Sequence, residues 1–360
     1  MAGLPAEIPG FPARSGAPAF AALDLGTNNC RLLVAAPSGD GFRVLDSFSR
    51  IVRLGEGLHD SGCLSATAMD RTMTALHACA ARLARRPVRS VRAIATEACR
   101  RAANGSDFLA RVREETGLAF DIISTREEAE LALESCTPLL DGGGKRALLF
   151  DIGGGSTELA WVRLAPHGRP ELIGYASLPL GVVTLAERFG ATVFTHDGFE
   201  AMVEDVASRL AGFERIHCID REIRDGGVRL LGTSGTVTTL AGVALNLPRY
   251  RRPLIDGAVL TRDVAVLAVE RLREMGRQGL ANHPCVGPER VDFVLPGCAV
   301  FSAIARTWPA AQVVVADRGL REGMLLRMIR AHRATRDRHR PPYRPPLGPD
   351  HAGREARPRA

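Results

Sequence analysis

Short apolar runs, each closed by a carboxylate and a glycine turn, set the pattern of this chain. Phe20-Ala-Ala-Leu23 leads to Asp24, a turn at Gly26-Thr27-Asn28, and a second apolar run ending at Val34. Leu148-Leu-Phe150 leads to Asp151, a turn of three glycines (Gly153, Gly154, Gly155), and a continuation from Ser156 through Glu158 to Val162. The residues after each turn are few and rich in β-branched or apolar types, which predicts the second strand of a hairpin rather than a helix. One such unit reads as an ordinary glycine hairpin. Two, with an acid in the same place, predict two similar lobes that each present a carboxylate and an anion-gripping turn to one cleft. A third glycine element, between Val228 and Gly242, runs from strand into helix. That puts Gly232, Ser234 and Gly235 at a helix N-terminus, where free N–H groups suit an anion.

Between these landmarks the periodicity predicts a strand over 42–53, a helix over 64–83 capped by Ser65 or Thr67, strands over 88–95 and 120–123, and a helix from 124 to about 140. Further on come a strand and turn over 175–184, helices through most of 184–224, and a helix over 262–276. A loop passes through His283-Pro284, followed by a helix over 298–306, a strand over 312–316 and a last helix opening at Asp317. Ser124 with Glu127, or Thr125 with Glu128, fits a capping box, and only one pair can be the cap. The other glutamate is left to face a ligand. Arg50 and Arg53, three apart on an extended segment, point to opposite faces, so only one reaches a cleft. Arg100 and Arg101 stand where a strand passes into a helix, a place that suits phosphate.

The domain plan follows. Residues 1–18, rich in Pro, Gly and Ala, are expected to be disordered, and 141–144 to be a loop. Residues 19–133 form a first lobe and 134–331 a second, with its last helix a candidate to return to the first. Residues 332–360 are expected to form a disordered basic tail.

Composition narrows the function class. The chain carries a net charge of +7, but eight arginines against three acids in 331–360 supply +5 of it. The body is close to neutral, so no nucleic-acid-binding surface is expected. No apolar run approaches the length of a membrane span, and none is expected. Eight cysteines without a C-x-x-C spacing indicate reduced thiols and a cytoplasmic location, with no disulfide frame or zinc site. The only lysine, Lys145, precedes the glycine turn, which rules out a P-loop.

Taken together, Asp24-Leu-Gly-Thr-Asn, Thr96 to Asn104, Ile123-Ser-Thr-Arg-Glu-Glu-Ala129, Asp151-Ile-Gly-Gly-Gly-Ser-Thr-Glu158, Leu178-Pro-Leu-Gly181, Gly232-Thr-Ser-Gly235 and Asp317-Arg-Gly-Leu-Arg-Glu-Gly323 resemble the exopolyphosphatase and guanosine-pentaphosphate phosphohydrolase family. The match spans about 20–330. It implies an α/β fold of two actin-like (ribonuclease H-like) lobes with the active site in the cleft between them. It also implies Glu128 as catalytic base, Asp151 and Glu158 as residues that handle Mg²⁺ and the attacking water, and Arg100 as a phosphate contact. Asn29-Cys30 and Thr125 depart from residues often found there, and longer members carry an extra helical region beyond the second lobe.

On this reading, backbone N–H groups of Gly26, Thr27 and Asn28 and of Gly153 to Ser156 cradle phosphates. Asp24, Asp151 and Glu158 hold Mg²⁺, with K⁺ a further candidate ion, and Arg53 and Arg100 line the path of the polyanion. The expected reaction is hydrolysis of the terminal phosphoanhydride of inorganic polyphosphate, or of guanosine pentaphosphate, with a homodimer as the candidate assembly. With only a small basic surface outside the tail, frequent release of long chains is expected. A kinase of the same superfamily and a non-catalytic alarmone sensor are the alternatives. The first lacks a distinct acceptor-binding segment, and the second has no use for a base at Glu128.

Overall fold

The computed structural model describes residues 18–140, 144–165 and 169–338. The expected loop at 141–143, the tail from 339 and all but Pro18 of the N-terminal segment lie outside these. The final helix, Leu320–Arg338, runs past the position at which the tail was expected to begin.

Two sheets carry the fold. The first contains β1 (Phe20–Leu25), β2 (Asn29–Ser38), β3 (Gly41–Ile51), β4 (Ser90–Ala95) and β5 (Asp121–Ile122), in the order β3-β2-β1-β4-β5. The second contains β6 (Arg146–Ile152), β7 (Thr157–Arg163), β8 (Glu171–Leu178), β9 (Val228–Thr233), β10 (Val259–Thr261) and β11 (Gln312–Ala316), in the order β10-β11-β9-β6-β7-β8. Read from β8 inward, the second sheet repeats the first. Each has two antiparallel pairings and then two parallel ones, with β10 an antiparallel addition at the edge. The two hairpin units are thus the central strands of two lobes with the same topology, an α/β actin-like architecture.

Alternation along these strands fixes where the acids point. In β1, Ala21, Leu23 and Leu25 face a core within the first lobe, against helices Ala66–Ala84 and Gly105–Thr116. Phe20 and Ala22 face the other way, into a central core between the lobes, and Asp24 continues that row. In β6, Leu148, Phe150 and Ile152 face the second lobe's own core, while Ala147, Leu149 and then Asp151 face the centre. Arg31 continues the row of Ala35 and Leu33 in β2, and Glu158 that of Val162 and Ala160 in β7. The two sheets therefore aim their polar strand ends at one space.

Two helices fill the central core. Thr125–Cys136 packs on β7 and β8, and Leu320–Arg338 packs on β1 and β2, with the two helices against each other. The chain order is crossed: the late helix covers the first sheet. Their contact is close enough that a Cβ at Gly323 would overlap the Leu131 carbonyl. Arg327 with Glu130 and Arg330 with Glu134 edge the contact with ion pairs.

Several elements differ from expectation: the strand over 42–53 ends at Ile51, so Arg53 leaves the extended segment with a φ of 47°. The helix over 298–306 begins earlier, at Val291, and continues through Pro296 to Thr307. Proline removes one helical hydrogen bond, but Val291, Val294 and Leu295 are buried in the second lobe's core, and that burial outweighs the loss. β10 carries only three residues, too few to register as a period. All eight cysteines are free thiols.

Candidate active site

The two turns are built alike. The Gly26 N–H donates to the Asn29 carbonyl and the Gly153 N–H to the Ser156 carbonyl, each at 2.9 Å. These first N–H groups close their own turns and are taken. Behind the turns the carbonyls are engaged too: that of Thr27 by Gly55, that of Asn28 by Val52 and Arg53, and those of Gly153 and Gly154 by Val182 and Val183. In a trans peptide the N–H points opposite its carbonyl, so the N–H groups of Asn28, Gly154 and Gly155 face away from these supports. The turns also meet. A Cβ at Gly154 would press on Asn28 and one at Gly155 would overlap the Thr27 hydroxyl, so the glycines permit the close approach. Both turns line a cleft of about 510 Å³ between the lobes.

The helix Thr125–Cys136 brings Glu128 to this cleft. Ser124 is its cap, accepting from the Glu127 N–H at 3.2 Å. The Glu127 carboxylate does not return the bond; it turns outward to Arg92 at 3.1 Å. Glu128 is buried instead, with Arg100 Nη1 donating to its Oε2 at 3.2 Å. Burial and the nearby Glu158 charge push its carboxyl well above the usual range, with Arg100 opposing. Burial and Asp151 raise Glu158 to about 7, while hydrogen bonds from Ser156 and Ser177 restrain it. Burial raises Asp151 to about 6, against the pull of Arg31, and burial also raises Asp24. Burial thus raises all four of these carboxyls, which line one cleft.

Asp24, Gly26, Thr27, Asn28, Glu128, Asp151, Gly153, Gly154, Gly155, Ser156 and Glu158 line the cleft, as do Ser234 and Gly235. Ser234 caps the helix Gly235–Ala244 from a backbone φ of 105°, a conformation that costs a non-glycine residue and recurs at ligand sites. Three expected phosphate contacts stand elsewhere. Gly232 lies inside β9, where a side chain would overlap Phe150, so its glycine serves packing. Arg100 spends its guanidinium on the Ile123 carbonyl (2.8 Å), Glu128 and Glu97 (2.7 Å). Its guanidinium is thus engaged with the glutamates, and Arg100 is not among the residues that line the cleft. Arg53 lies over the Phe293 ring, 5.2 Å from its centroid.

The arginines that do line the cleft are Arg31, Arg252, Arg290, Arg318 and Arg321. Arg31 pairs in register with Asp24, the place that Glu158 takes opposite Asp151, so the hairpin register held a signal for it. Arg321 sits in the Asp317-Arg-Gly-Leu-Arg-Glu-Gly323 segment, but nothing in its spacing says that it faces inward. Burial pulls it below the usual arginine range, with Glu322 opposing. Arg318 is paired with Asp256 at 2.9 Å and Arg252 with Asp317 at 3.4 Å.

The donor set fits a hard divalent cation. The raised carboxyls call for positive charge, and the buried Asn28 Oδ1 has no hydrogen-bond partner among the described residues. No three His, Cys, Asp or Glu side chains among those residues converge as a complete metal cage. Mg²⁺ needs no such cage, since it keeps water and takes one or two carboxylates plus phosphate oxygens.

Two actin-like lobes that close glycine turns and buried carboxylates on a common cleft define a phosphate-handling protein. The chain belongs to the Ppx/GppA phosphatase family, whose members are phosphatases; the match covers residues 33–332. A Ppx/GppA family member from Aquifex aeolicus is similar over 88% of this chain and 98% of its own, with 26% identity and a TM-score of 0.72. A further Aquifex aeolicus structure, of a PPX-GPPA enzyme, covers 86% and 99%, at 27% identity and a TM-score of 0.70. An exopolyphosphatase from Cytophaga hutchinsonii shares the fold over 87% and 98%, with a TM-score of 0.77 at 23% identity.

Proposed function

We propose that this protein is a Mg²⁺-dependent exopolyphosphatase that hydrolyses the terminal phosphoanhydride of inorganic polyphosphate. The observation that carries the reading is Glu128: a buried carboxyl with raised proton affinity, fixed by Arg100, in the same cleft as both glycine turns. The N–H groups of Asn28, Gly154 and Gly155 and the guanidinium of Arg31 bind and orient the terminal phosphate. Ser234 and Gly235 meet the next phosphate at the helix N-terminus. Glu128 accepts the proton of the water that attacks phosphorus, and the shortened chain leaves as orthophosphate is released. One or two of the carboxylates of Asp24, Asp151 and Glu158 would hold Mg²⁺, with water and phosphate oxygens completing its shell; when bound it spreads the charge of the phosphoryl group.

A second substrate, guanosine pentaphosphate, is favoured by one feature. Tyr250 lines the cleft with its ring partly exposed, a surface on which a base can stack. Orthophosphate release from both substrates, with and without Mg²⁺, tests the proposal. Release from neither would overturn it, and release from guanosine pentaphosphate alone would make the second substrate the true one.

A further inference from the structure

Residues 52–57 form a strap between β3 and the short helix that opens at Leu58. One side of the strap is bonded to the first turn. Val52 and Arg53 donate their N–H groups to the Asn28 carbonyl at 2.8 and 3.1 Å, and Gly55 donates to the Thr27 carbonyl at 2.9 Å. The other side crosses to the second lobe at two points. The Arg53 guanidinium lies on the Phe293 ring, and the Gly57 N–H donates to Glu187 Oε1 at 2.9 Å. Val52 and Leu54 are fully buried in the first lobe, so the strap moves with that lobe. Arg53 has a φ of 47°, unusual for any residue but glycine, asparagine or aspartate. Arg71 secures this conformation by donating to the Val52 and Arg53 carbonyls at 2.5 and 3.0 Å.

We propose that Arg53, with Phe293 and Glu187, is a positioning residue that holds the two phosphate-gripping turns face to face. Arg53 acts through the Asn28 carbonyl and the Phe293 ring; it does not touch the scissile phosphate. The chain of contacts is short: turn, strap, guanidinium, ring. The N–H groups of Asn28 and Gly154 converge only while the lobes stay closed, and the strap ties that closure to the turn itself. Phosphate settling on the first turn is thereby coupled to the mouth of the cleft. The inference rests on the cleft being the working site proposed above, but its test needs no turnover.

The test is amide hydrogen exchange on the full chain without ligand, following peptides that contain residues 24–30 and 152–157. The variants are Arg53→Asn, chosen because asparagine tolerates the same φ, Phe293→Leu, Phe293→Tyr, and the Arg53→Asn/Phe293→Leu pair. Losing a cation–π contact should open the cleft roughly 2- to 30-fold more often. Arg53→Asn and Phe293→Leu are each expected to speed exchange by that factor in both turns. The pair should exchange no faster than either alone, and Phe293→Tyr should restore the original rates because it keeps the ring face. Unchanged exchange in Phe293→Leu overturns the proposal. So does acceleration confined to the lobe that carries the substitution, or effects that multiply in the pair. Should Arg53→Asn fail to fold, the Leu and Tyr variants at 293 decide alone. Orthophosphate release, measured separately, reports on the hydrolase reading and not on the strap.

Discussion

Glu128 shows what can be settled at the scale of one residue. Its sequence context left two glutamates competing for one cap, and the structure gives the cap to Ser124 with Glu127 on the outside. Glu128→Gln keeps the shape but cannot take a proton. It is expected to lower turnover roughly 10²–10⁴-fold while leaving polyphosphate binding and melting temperature near those of the parent. A Glu127→Gln variant with the greater loss would reverse the assignment. Asp151 and Glu158 carry a second prediction. Their carboxyls bind protons up to about pH 6 and 7 when folded, above the ordinary values of 3.8 and 4.5. Through that window the folded chain holds protons that the unfolded chain has lost, so stability falls as pH rises and is lowest once both groups are charged. Melting temperature in chelator should therefore drop by a few degrees between pH ~5 and ~8. Added Mg²⁺ should raise it more at the upper pH, and Asp151→Asn should flatten both trends. A flat profile in the parent protein would sink this account. The acids and turns were legible because each closes an apolar run at a fixed offset. The arginines were not. A guanidinium at the end of a long flexible stem has no period, so only coordinates separate Arg31 in the cleft from Arg53 on Phe293 and Arg100 on Glu128.

Among elements, the hairpins were read well because β-branched and aromatic residues after a glycine turn permit little else. The helix starting at Val291 extends beyond the expected 298–306 because burial on the second lobe's core, invisible to a local window, overrides the break that Pro296 would otherwise impose. Gly232 misled for a related reason: a glycine that admits Phe150 is written in the same letter as one that admits phosphate. The crossing of Thr125–Cys136 with Leu320–Arg338 offers a direct check on packing. Gly323→Ala places a methyl against the Leu131 carbonyl, and overpacking of this kind should cost about 1–3 kcal/mol. The readout is the urea midpoint. Ser124→Ala, which removes only a cap, should cost about 1 kcal/mol in the same assay. If Gly323→Ala were as stable as the parent, the helix contact would be looser than described.

Across the whole molecule, the repeated strand order and the shared central core were legible in outline, since two acid–glycine units imply two lobes. That the late helix covers β1 and β2 was only one candidate from the sequence, because amphipathic faces do not name their partners. Its position has a consequence for how the protein is made. β1 and β2 leave the ribosome before the helix that shields Phe20, Ala22 and Leu33, which begins at Leu320, some 300 residues later. At about 5–20 residues per second, the first sheet waits on the order of 15–60 s with one greasy face bare. The nascent chain is thus open to chaperones, or to a neighbouring copy, throughout that interval. A stop codon placed just before Leu320 should freeze that condition, yielding a product that binds a hydrophobic dye and precipitates even though every strand of both sheets has been translated.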